Sequence, residues 1–383
     1  MKKKVLILGS TGSIGCHSLQ VLAQHTKRFQ VDTLTARHNV KLLAEQAISF
    51  GASNVLITDE SKLMELRNLL KGTEINIYVP NDNFFKGDVN YDITIVGIDG
   101  IAALKVICDI LAKTKILALA NKESIVCSGE FIIAEARKHS TKIIPLDSEH
   151  NAIWQVFEEH NRQNIEKIIL TASGGPFLKR KIEDLRSVKT SEAVQHPRWK
   201  MGRKISVDSA NMVNKGLEIM EACLLFDLPI AKVEAVIHPQ SIMHGMVYYN
   251  DGSILAHLAN HDMQIPISTC LNYPQRTPCL HRNVDLIKIG SLQFQEITLE
   301  RFPLFFLAKQ AFGGGIATRI IFNIANERAV AAFLKERISF LSIDKVIAHS
   351  LEKISNQKID SISDVYKFID IVHIRTEEFI SSL

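Results

Sequence analysis

Near its start the chain reads Val5-Leu6-Ile7-Leu8-Gly9-Ser10-Thr11-Gly12-Ser13-Ile14-Gly15, and no other stretch restricts the fold as tightly. Four apolar residues make a short buried strand, the glycines turn the chain at once, and Leu19, Val21 and Leu22 carry a helix away from the turn. Strand, glycine turn and helix in that order build a phosphate cradle. Glycine lets the backbone approach a pyrophosphate, and the helix N-terminus presents N–H groups to it. The spacing is G-x-x-G-x-x-G rather than the more familiar G-x-G-x-x-G. A plain tight turn is the rival reading, and the flanking strand and helix favour the dinucleotide.

A second strand is expected over residues 30–35. An NAD site would place an acid at its C-terminal end, and this chain has Ala36-Arg37-His38-Asn39 there. A planar guanidinium suits a 2′-phosphate, so NADP is expected over NAD. Asp32 is the counter-argument, but it stands near the start of the strand and is expected to be exposed. Further short apolar runs follow at residues 55–57, 75–79, 93–96, 116–119 and 143–144, with helical segments at 101–111 and 130–138 between some of them. This alternation predicts an α/β fold: an N-terminal doubly wound, Rossmann-like parallel sheet with ligands beyond the carboxyl ends of its strands.

Two of those ends are densely polar. Asn121-Lys122-Glu123-Ser124 follows one strand, and Asp147-Ser148-Glu149-His150-Asn151 follows another. Asp147 and Glu149, two residues apart at a strand mouth, can turn oxygens to one point, which suits Mg2+ or Mn2+. The plainer reading is a helix cap at Asp147 or Ser148, with a helix beginning near Asn151 and Glu149 solvated in its first turn.

The middle of the chain changes character. Residues 168–171 read as a strand and Ser173-Gly174-Gly175-Pro176-Phe177 as a loop, followed by His196-Pro197-Arg198-Trp199-Lys200-Met201-Gly202. An aromatic, a methionine and a histidine in a Pro/Gly-bounded loop resemble a lid, although a loop pinned by Trp199 into the local core fits equally. A helix is expected to run to about Phe226, with Val213, Leu217, Met220 and Leu224 as its apolar stripe. Asn211, Asn214, Lys215 and Glu218 fall on another face, a set that could bind phosphate and metal together. The alternative is a solvated face with a Lys215–Glu218 pair. Strands at 233–237, 246–249 and 254–258, the last two joined through Asn250-Asp251-Gly252, predict an α+β middle domain. From Pro303 onward the pattern is helical and reads as a C-terminal helical bundle.

Taken together, the glycine turn, Ala120 to Ser124, Asp147 to Asn151, Ser173 to Phe177, His196-Pro197 and Met201 to Glu218 resemble the 1-deoxy-D-xylulose 5-phosphate reductoisomerase family, and the likeness runs on through His238-Pro239-Gln240-Ser241 to Asn326-Glu327. The resemblance implies NADPH- and metal-dependent conversion of 1-deoxy-D-xylulose 5-phosphate to 2-C-methyl-D-erythritol 4-phosphate in non-mevalonate isoprenoid synthesis. By that likeness, Thr11, Gly12, Ser13, Ile14, Arg37, His38, Asn39, Asn121, Glu123 and Gly202 contact the cofactor. Asp147, Glu149 and Glu218 hold Mg2+ or Mn2+. Lys122, Ser148 and His196 meet the substrate's carbon chain, Ser173, Ser209, Asn214 and Lys215 meet its phosphate, and Glu149, Trp199 and Glu218 are also implied substrate contacts. Trp199 and Met201 belong to the lid, and the catalytic roles fall to Lys122, Glu149, His196 and Glu218. The departure is at Ala36-Arg37-His38, where many members carry Gly-Lys or Gly-Ser before the asparagine.

The expected domains are residues 1–147 for NADPH, 148–273 for catalysis and dimerisation with the lid at about 194–204, a linker at 274–299, and 300–383. A homodimer is expected by analogy. A small net charge of +4 spread along the chain gives no sign of a nucleic-acid or membrane partner, so none is expected, and no apolar run approaches a membrane span. Six cysteines without a C-x-x-C pair, and an apolar stretch behind Met1-Lys2-Lys3-Lys4 too short for a signal peptide, place the expected setting in the cytoplasm. The rivals are a metal-independent NADP-dependent dehydrogenase and a non-catalytic NADP-binding sensor.

Overall fold

The structure, a computed structural model, describes residues 1–80, 84–199, 201–278 and 283–383. Lys200 of the expected lid, and Cys279 to Arg282 of the expected linker, lie outside the described residues. The chain forms two compact units. One comprises residues 1–121, 132–151 and 262–281, the other residues 122–131, 152–261 and 282–383.

The first unit is built on a seven-stranded parallel sheet. Its elements run β1 (Lys3–Leu8), α1 (Ser13–Ala23), β2 (Phe29–Ala36), α2 (Val40–Phe50), β3 (Asn54–Ile57), α3 (Leu63–Leu69), β4 (Asn76–Tyr78), β5 (Tyr91–Val96), α4 (Ala103–Ile110) and β6 (Thr114–Leu119). Helix α5 (Lys122–Lys138) and strand β7 (Lys142–Pro145) follow. The spatial order β4-β3-β2-β1-β5-β6-β7 reverses direction beside β1, the doubly wound pattern predicted above. The core of β1 reads as an unbroken apolar run: Val5, Leu6 and Ile7 have no exposure, as befits a central strand covered on both faces. Register aligns the carboxyl ends, with Leu8 opposite Val96, Ala36 opposite Ile57 and Leu119 opposite Pro145. The segments that follow these ends therefore leave the sheet along one edge.

Helix α5 starts at Lys122, eight residues before the expected start at 130. It is kinked at Ser128 (φ −153°), whose hydroxyl donates to the Ser124 carbonyl at 2.7 Å. That back-bond within a Ser-Gly pair accounts for the break that hid the first two turns from the sequence.

The second unit holds a four-stranded mixed sheet. Helix α6 (Ser148–Val156) leads to β8 (Ile165–Ala172), then come α7 (Thr190–Ala193), α8 (Arg203–Ala210), α9 (Val213–Leu225), β9 (Val233–Ile237), β10 (Met243–Tyr249) and β11 (Ile254–Leu258). The order is β11-β10-β8-β9, and the β10–β11 hairpin turns at Gly252 (φ +85°), where Asp251 accepts from the Ser253 N–H at 2.8 Å. The chain then returns to the first unit for α10 (Gln264–Asn272), which packs on α1.

The remaining helices are α11 (Leu286–Ile289), α12 (Pro303–Gly313), α13 (Ile316–Leu334), α14 (Ser342–Lys353) and α15 (Ile362–Ser382). The expected C-terminal bundle is present. It shares one core with α8 and α9, in which Val207, Val213, Leu217 and Met220 lie among Leu304, Ala308, Phe322 and Ala329. A Cβ on Gly216 would meet that of Ala308 at 2.5 Å, so a bare backbone at Gly216 is what lets α9 and α12 approach. This shared core holds the polar face of α9 in place.

Candidate active site

In the first unit the glycine turn opens on Gly9 (φ +82°), a left-handed conformation in which a Cβ would also stand 2.8 Å from the Gly97 carbonyl oxygen. The Ser10 N–H donates to the Thr35 carbonyl at 2.8 Å, and Gly9 N–H to the Thr35 hydroxyl at 3.0 Å, tying the turn to the end of β2. Gly12 then caps α1 with no side-chain hydrogen bond and no acid in the first turn. The helix end is thus left to an outside anion, as a pyrophosphate site requires.

Along the same sheet edge, Arg37, His38 and Asn39 are exposed. His38 pairs with Asp59 at 2.9 Å, and Asn39 caps α2 by accepting from the Leu42 N–H at 3.2 Å. Asp32 corrects an expectation. It is buried, with one oxygen accepting from Thr33 at 2.9 Å and from Asn54 at 3.3 Å, and it serves the interior of the sheet. Asn121 is buried after β6 and donates to the Ile98 and Gly100 carbonyls at 3.0 and 2.8 Å.

After β7, Asp147 stands at the start of α6. The helix begins at Ser148, three residues before the expected point, because the Glu149 N–H reaches Asp147 Oδ1 at 3.3 Å. His150, without exposure, sits 3.7 Å from the same carboxylate, and the Ser148 hydroxyl donates to Glu149. The capping role weighed above is therefore real. It occupies one oxygen of Asp147 and does not by itself account for a second acid at 149.

The second unit gathers the other charged residues. Lys122 Nζ lies 2.7 Å from Asn214 Oδ1 and 3.1 Å from Glu218 Oε1, Asn214 donates to the same oxygen, and Lys215 Nζ pairs with Glu218 Oε2. None of these charges is solvated: Lys122, Lys215 and Glu218 are 5%, 3% and 1% exposed. The solvated-face reading of α9 is thereby overturned. Two ammonium groups thus meet one carboxylate away from water, where their mutual attraction is strong and each carries a desolvation cost. Asn211 falls outside the helical face, because α9 starts at Val213, and Asn211 Oδ1 accepts from the Val213 N–H at 3.0 Å.

Ser173 follows β8, and its hydroxyl lies 2.8 Å from His196 Nε2. The Trp199 and Arg198 N–H groups donate to His196 Nδ1 at 2.9 and 3.2 Å, so the ring proton sits on Nε2 and is given to Ser173. Gly175 (φ +71°) lets this loop ride on the end of α8, where a Cβ would stand 2.6 Å from the Ser209 carbonyl oxygen. Trp199 packs edge-on to His261 at 5.7 Å and near His244 at 6.2 Å, partners the sequence did not single out. Met201 and Gly202 lead from it into α8.

Burial, with His261 nearby, lowers His196 from the ordinary 6.5 to about 4. Burial and His257 lower His244 likewise to about 4. The unfolded chain takes up both protons near the ordinary value and the folded chain only near 4, so in between the unfolded state binds more protons. Stability is then full above the ordinary value and falls as pH falls toward 4. The thermal midpoint is expected to drop between about pH 7 and about pH 5, with a shallower fall when both histidines are replaced by asparagine. Parallel profiles for the two proteins, followed by circular dichroism, would count against neutral burial of these rings.

Sequence reasoning missed Lys204, Asp208 and the ring partners of Trp199. Lys204 and Asp208 stand four apart on α8, a spacing that was available to be read. The histidines converge from separate strands and loops and left no local signal.

Comparison with known proteins supplies three family matches. Residues 5–129 match 1-deoxy-D-xylulose 5-phosphate reductoisomerase, residues 143–226 its C-terminal domain, and residues 258–373 the DXP reductoisomerase C-terminal domain. A protein of that name from Wolbachia pipientis wMel is 45% identical over 367 residues, covering 95% of this chain and 94% of its own. One from Zymomonas mobilis is 41% identical over 382 residues, covering 100% and 98%. Among solved structures, the Zymomonas mobilis enzyme in complex with NADPH superposes with a TM-score of 0.94 at 40% identity, covering 100% of both chains. A DOX-P reductoisomerase in complex with NADPH, fosmidomycin and magnesium gives 0.94 at 35% identity, covering 99% of this chain and 98% of its own.

Proposed function

The chain belongs to the 1-deoxy-D-xylulose 5-phosphate reductoisomerase family, and from that membership we infer an NADPH-dependent enzyme that isomerises and reduces 1-deoxy-D-xylulose 5-phosphate to 2-C-methyl-D-erythritol 4-phosphate with the help of a divalent metal ion. The observation that carries the reading is the buried Lys122–Asn214–Lys215–Glu218 set, charged machinery that a metal-independent dehydrogenase or an NADP sensor does not need.

NADPH supplies the hydride and the metal ion supplies Lewis-acid polarisation and a template for the substrate's oxygens. The residues of the chain do the rest. Thr11, Gly12, Ser13 and Ile14, at the uncapped start of α1, hold the pyrophosphate, and the exposed Arg37, His38 and Asn39 stand for the adenosine phosphate. Asn121, Glu123 and Gly202 complete the cofactor contacts. Asp147, Glu149 and Glu218 are the proposed metal ligands, all oxygen donors as Mg2+ or Mn2+ prefers.

Lys122 presents an ammonium to the substrate's oxygens, held in direction by Asn214 and Glu218. His196 is neutral and donates through Nε2, so it can orient a hydroxyl without adding charge. Ser148 is proposed to meet the carbon chain. Ser173, Ser209, Asn214 and Lys215 are proposed to hold the phosphate, Lys215 giving the charge and the others hydrogen bonds. Closure of the loop at about 194–204, with Trp199 and Met201 at its tip, keeps water from the aldehyde that is reduced.

The expected domain division stands as part of this proposal. A homodimer is proposed through the middle sheet, supported by Ile254 and Leu255, which are 49% and 38% exposed on β11. No helix among the described residues is long and apolar enough to cross a membrane. Five free cysteines among the described residues support a cytoplasmic setting.

The test is NADPH oxidation followed by absorbance with 1-deoxy-D-xylulose 5-phosphate, before and after chelation. Turnover is expected with Mg2+ or Mn2+ and is expected to stop on chelation. Turnover that survives complete metal removal would transfer the protein to the dehydrogenase reading.

A further inference from the structure

Lys204 is the second residue of α8 and appears in none of the roles above. Its Nζ stands 2.9 Å from Glu123 Oε1 on α5 and 2.8 Å from Asp208 Oδ2 on its own helix. Asp208 has no exposure, and its other oxygen accepts from Asn326 Nδ2 of α13 at 2.9 Å; Asn326 is likewise unexposed. A continuous line of polar contacts thus runs from the core of the helical bundle through Asp208 and Lys204 to Glu123, which is 7% exposed. Gly202, two residues before Lys204, is fixed in turn: its carbonyl accepts from the Ser206 N–H at 3.1 Å and the Ser206 hydroxyl at 2.9 Å.

We propose that Lys204 is a positioning residue for the dinucleotide, an ionic strap that sets the Glu123 carboxylate and the Gly202 backbone at one fixed spacing before NADPH arrives. The proposal rests on the assignment of Glu123 and Gly202 as cofactor contacts. A carboxylate in the first turn of α5 can swing among rotamers, and an acceptor for a hydroxyl or amide of the cofactor works best when that freedom is already spent. Lys204 removes it, while Asp208 and Asn326 keep Lys204 from following a moving loop. The charges agree with this geometry. Burial acts to raise Glu123, yet the adjacent Lys204 ammonium, together with a backbone hydrogen bond and Lys122, holds the carboxyl below its ordinary range. Burial acts to lower Lys204, and Asp208 and Glu123 outweigh that and hold it protonated.

The experiment is a thermodynamic cycle on NADPH binding, read by quenching of protein fluorescence on the full chain. Lys204→Met is expected to weaken NADPH about tenfold, the scale of losing one charge-assisted hydrogen bond, with the KM for the sugar phosphate unchanged. In a Glu123→Gln background the same change is expected to add less than about twofold, because the strap then has nothing to hold. Lys204→Arg, which keeps the charge, is expected to stay within about threefold of the parent. An unchanged Kd in Lys204→Met, or effects that simply multiply in the double variant, overturns the proposal, the second by showing a merely structural role. If Lys204→Met does not fold, Lys204→Gln takes its place in the cycle under the same criteria. Failure of the parent chain to bind NADPH would overturn the cofactor assignment itself, an outcome distinct from the other two.

Discussion

Glu218→Gln is expected to lower kcat on the order of 10³-fold, about 4 kcal/mol of barrier, while NADPH affinity stays at the parent value. The carboxylate is 1% exposed, and its two oxygens divide the work: Oε1 accepts from Lys122 and Asn214, and Oε2 meets Lys215. A glutamine keeps the shape but offers one acceptor where two are used, and it turns an N–H donor toward an ammonium. Both the proposed metal ligand and the anchor of Lys122 are lost in one atom change. Glu218 is not among the proposed cofactor contacts, so NADPH affinity should not register the change. The variant also removes the carboxylate from two buried ion pairs, and breaking such a pair costs about 3–5 kcal/mol, so the thermal midpoint should fall as well. Activity must therefore be measured per folded molecule, in single turnover, beside a metal titration. A destabilised protein with parental turnover would reduce Glu218 to a counter-ion for two lysines and end the metal assignment.

Gly15→Ala is expected to abolish NADPH binding and to destabilise the first unit. The added Cβ would stand 2.4 Å from the Gly9 carbonyl oxygen, from Ser10 Cα and from the Ser10 carbonyl oxygen. These are backbone atoms at the point where α1 meets the turn, so no side chain can step aside. Overpacking usually costs about 1–3 kcal/mol, and a clash confined to backbone should lie at or above the top of that range. Gly12→Ala is the informative partner. Its Cβ would meet the Gly9 carbonyl oxygen at 3.4 Å, an ordinary contact, and its φ of −80° suits any residue. It should fold normally and lose only cofactor affinity, since the methyl group enters the space of the cradle. Calorimetric NADPH binding and thermal unfolding of the two variants separate the roles. If both bound NADPH like the parent, the cradle would have to be given up as the dinucleotide site.

Much of this architecture was legible in the sequence because it is locally encoded. The runs at 93–96 and 116–119 became β5 and β6 within two residues, since a strand buried on both faces is mostly apolar, with the buried Thr94 the one polar residue in these runs. The hairpin at Asn250-Asp251-Gly252 follows from the positive φ that Gly252 supplies and from the Asp251 side chain closing the turn. Where local rules were ambiguous, the reading slipped. The Ser128-Gly129 pair concealed a continuous α5, and Asp32 looked like a surface residue although Thr33 and Asn54 hold it inside.

What the chain determined by itself was the set of elements, their order and the polar residues proposed to carry chemistry, since periodicity, turn residues and motif spacing act over a few residues at a time. Only the tertiary structure decided the state of those residues. It removed water from Lys122, Lys215 and Glu218, which a helical period alone describes equally well as a solvated face. It chose the tautomer of His196 through the Trp199 and Arg198 N–H groups, and it placed Lys204 between acids from two helices. Burial and charge pairing depend on segments distant in the chain arriving at one place, and no local pattern records which of them will meet.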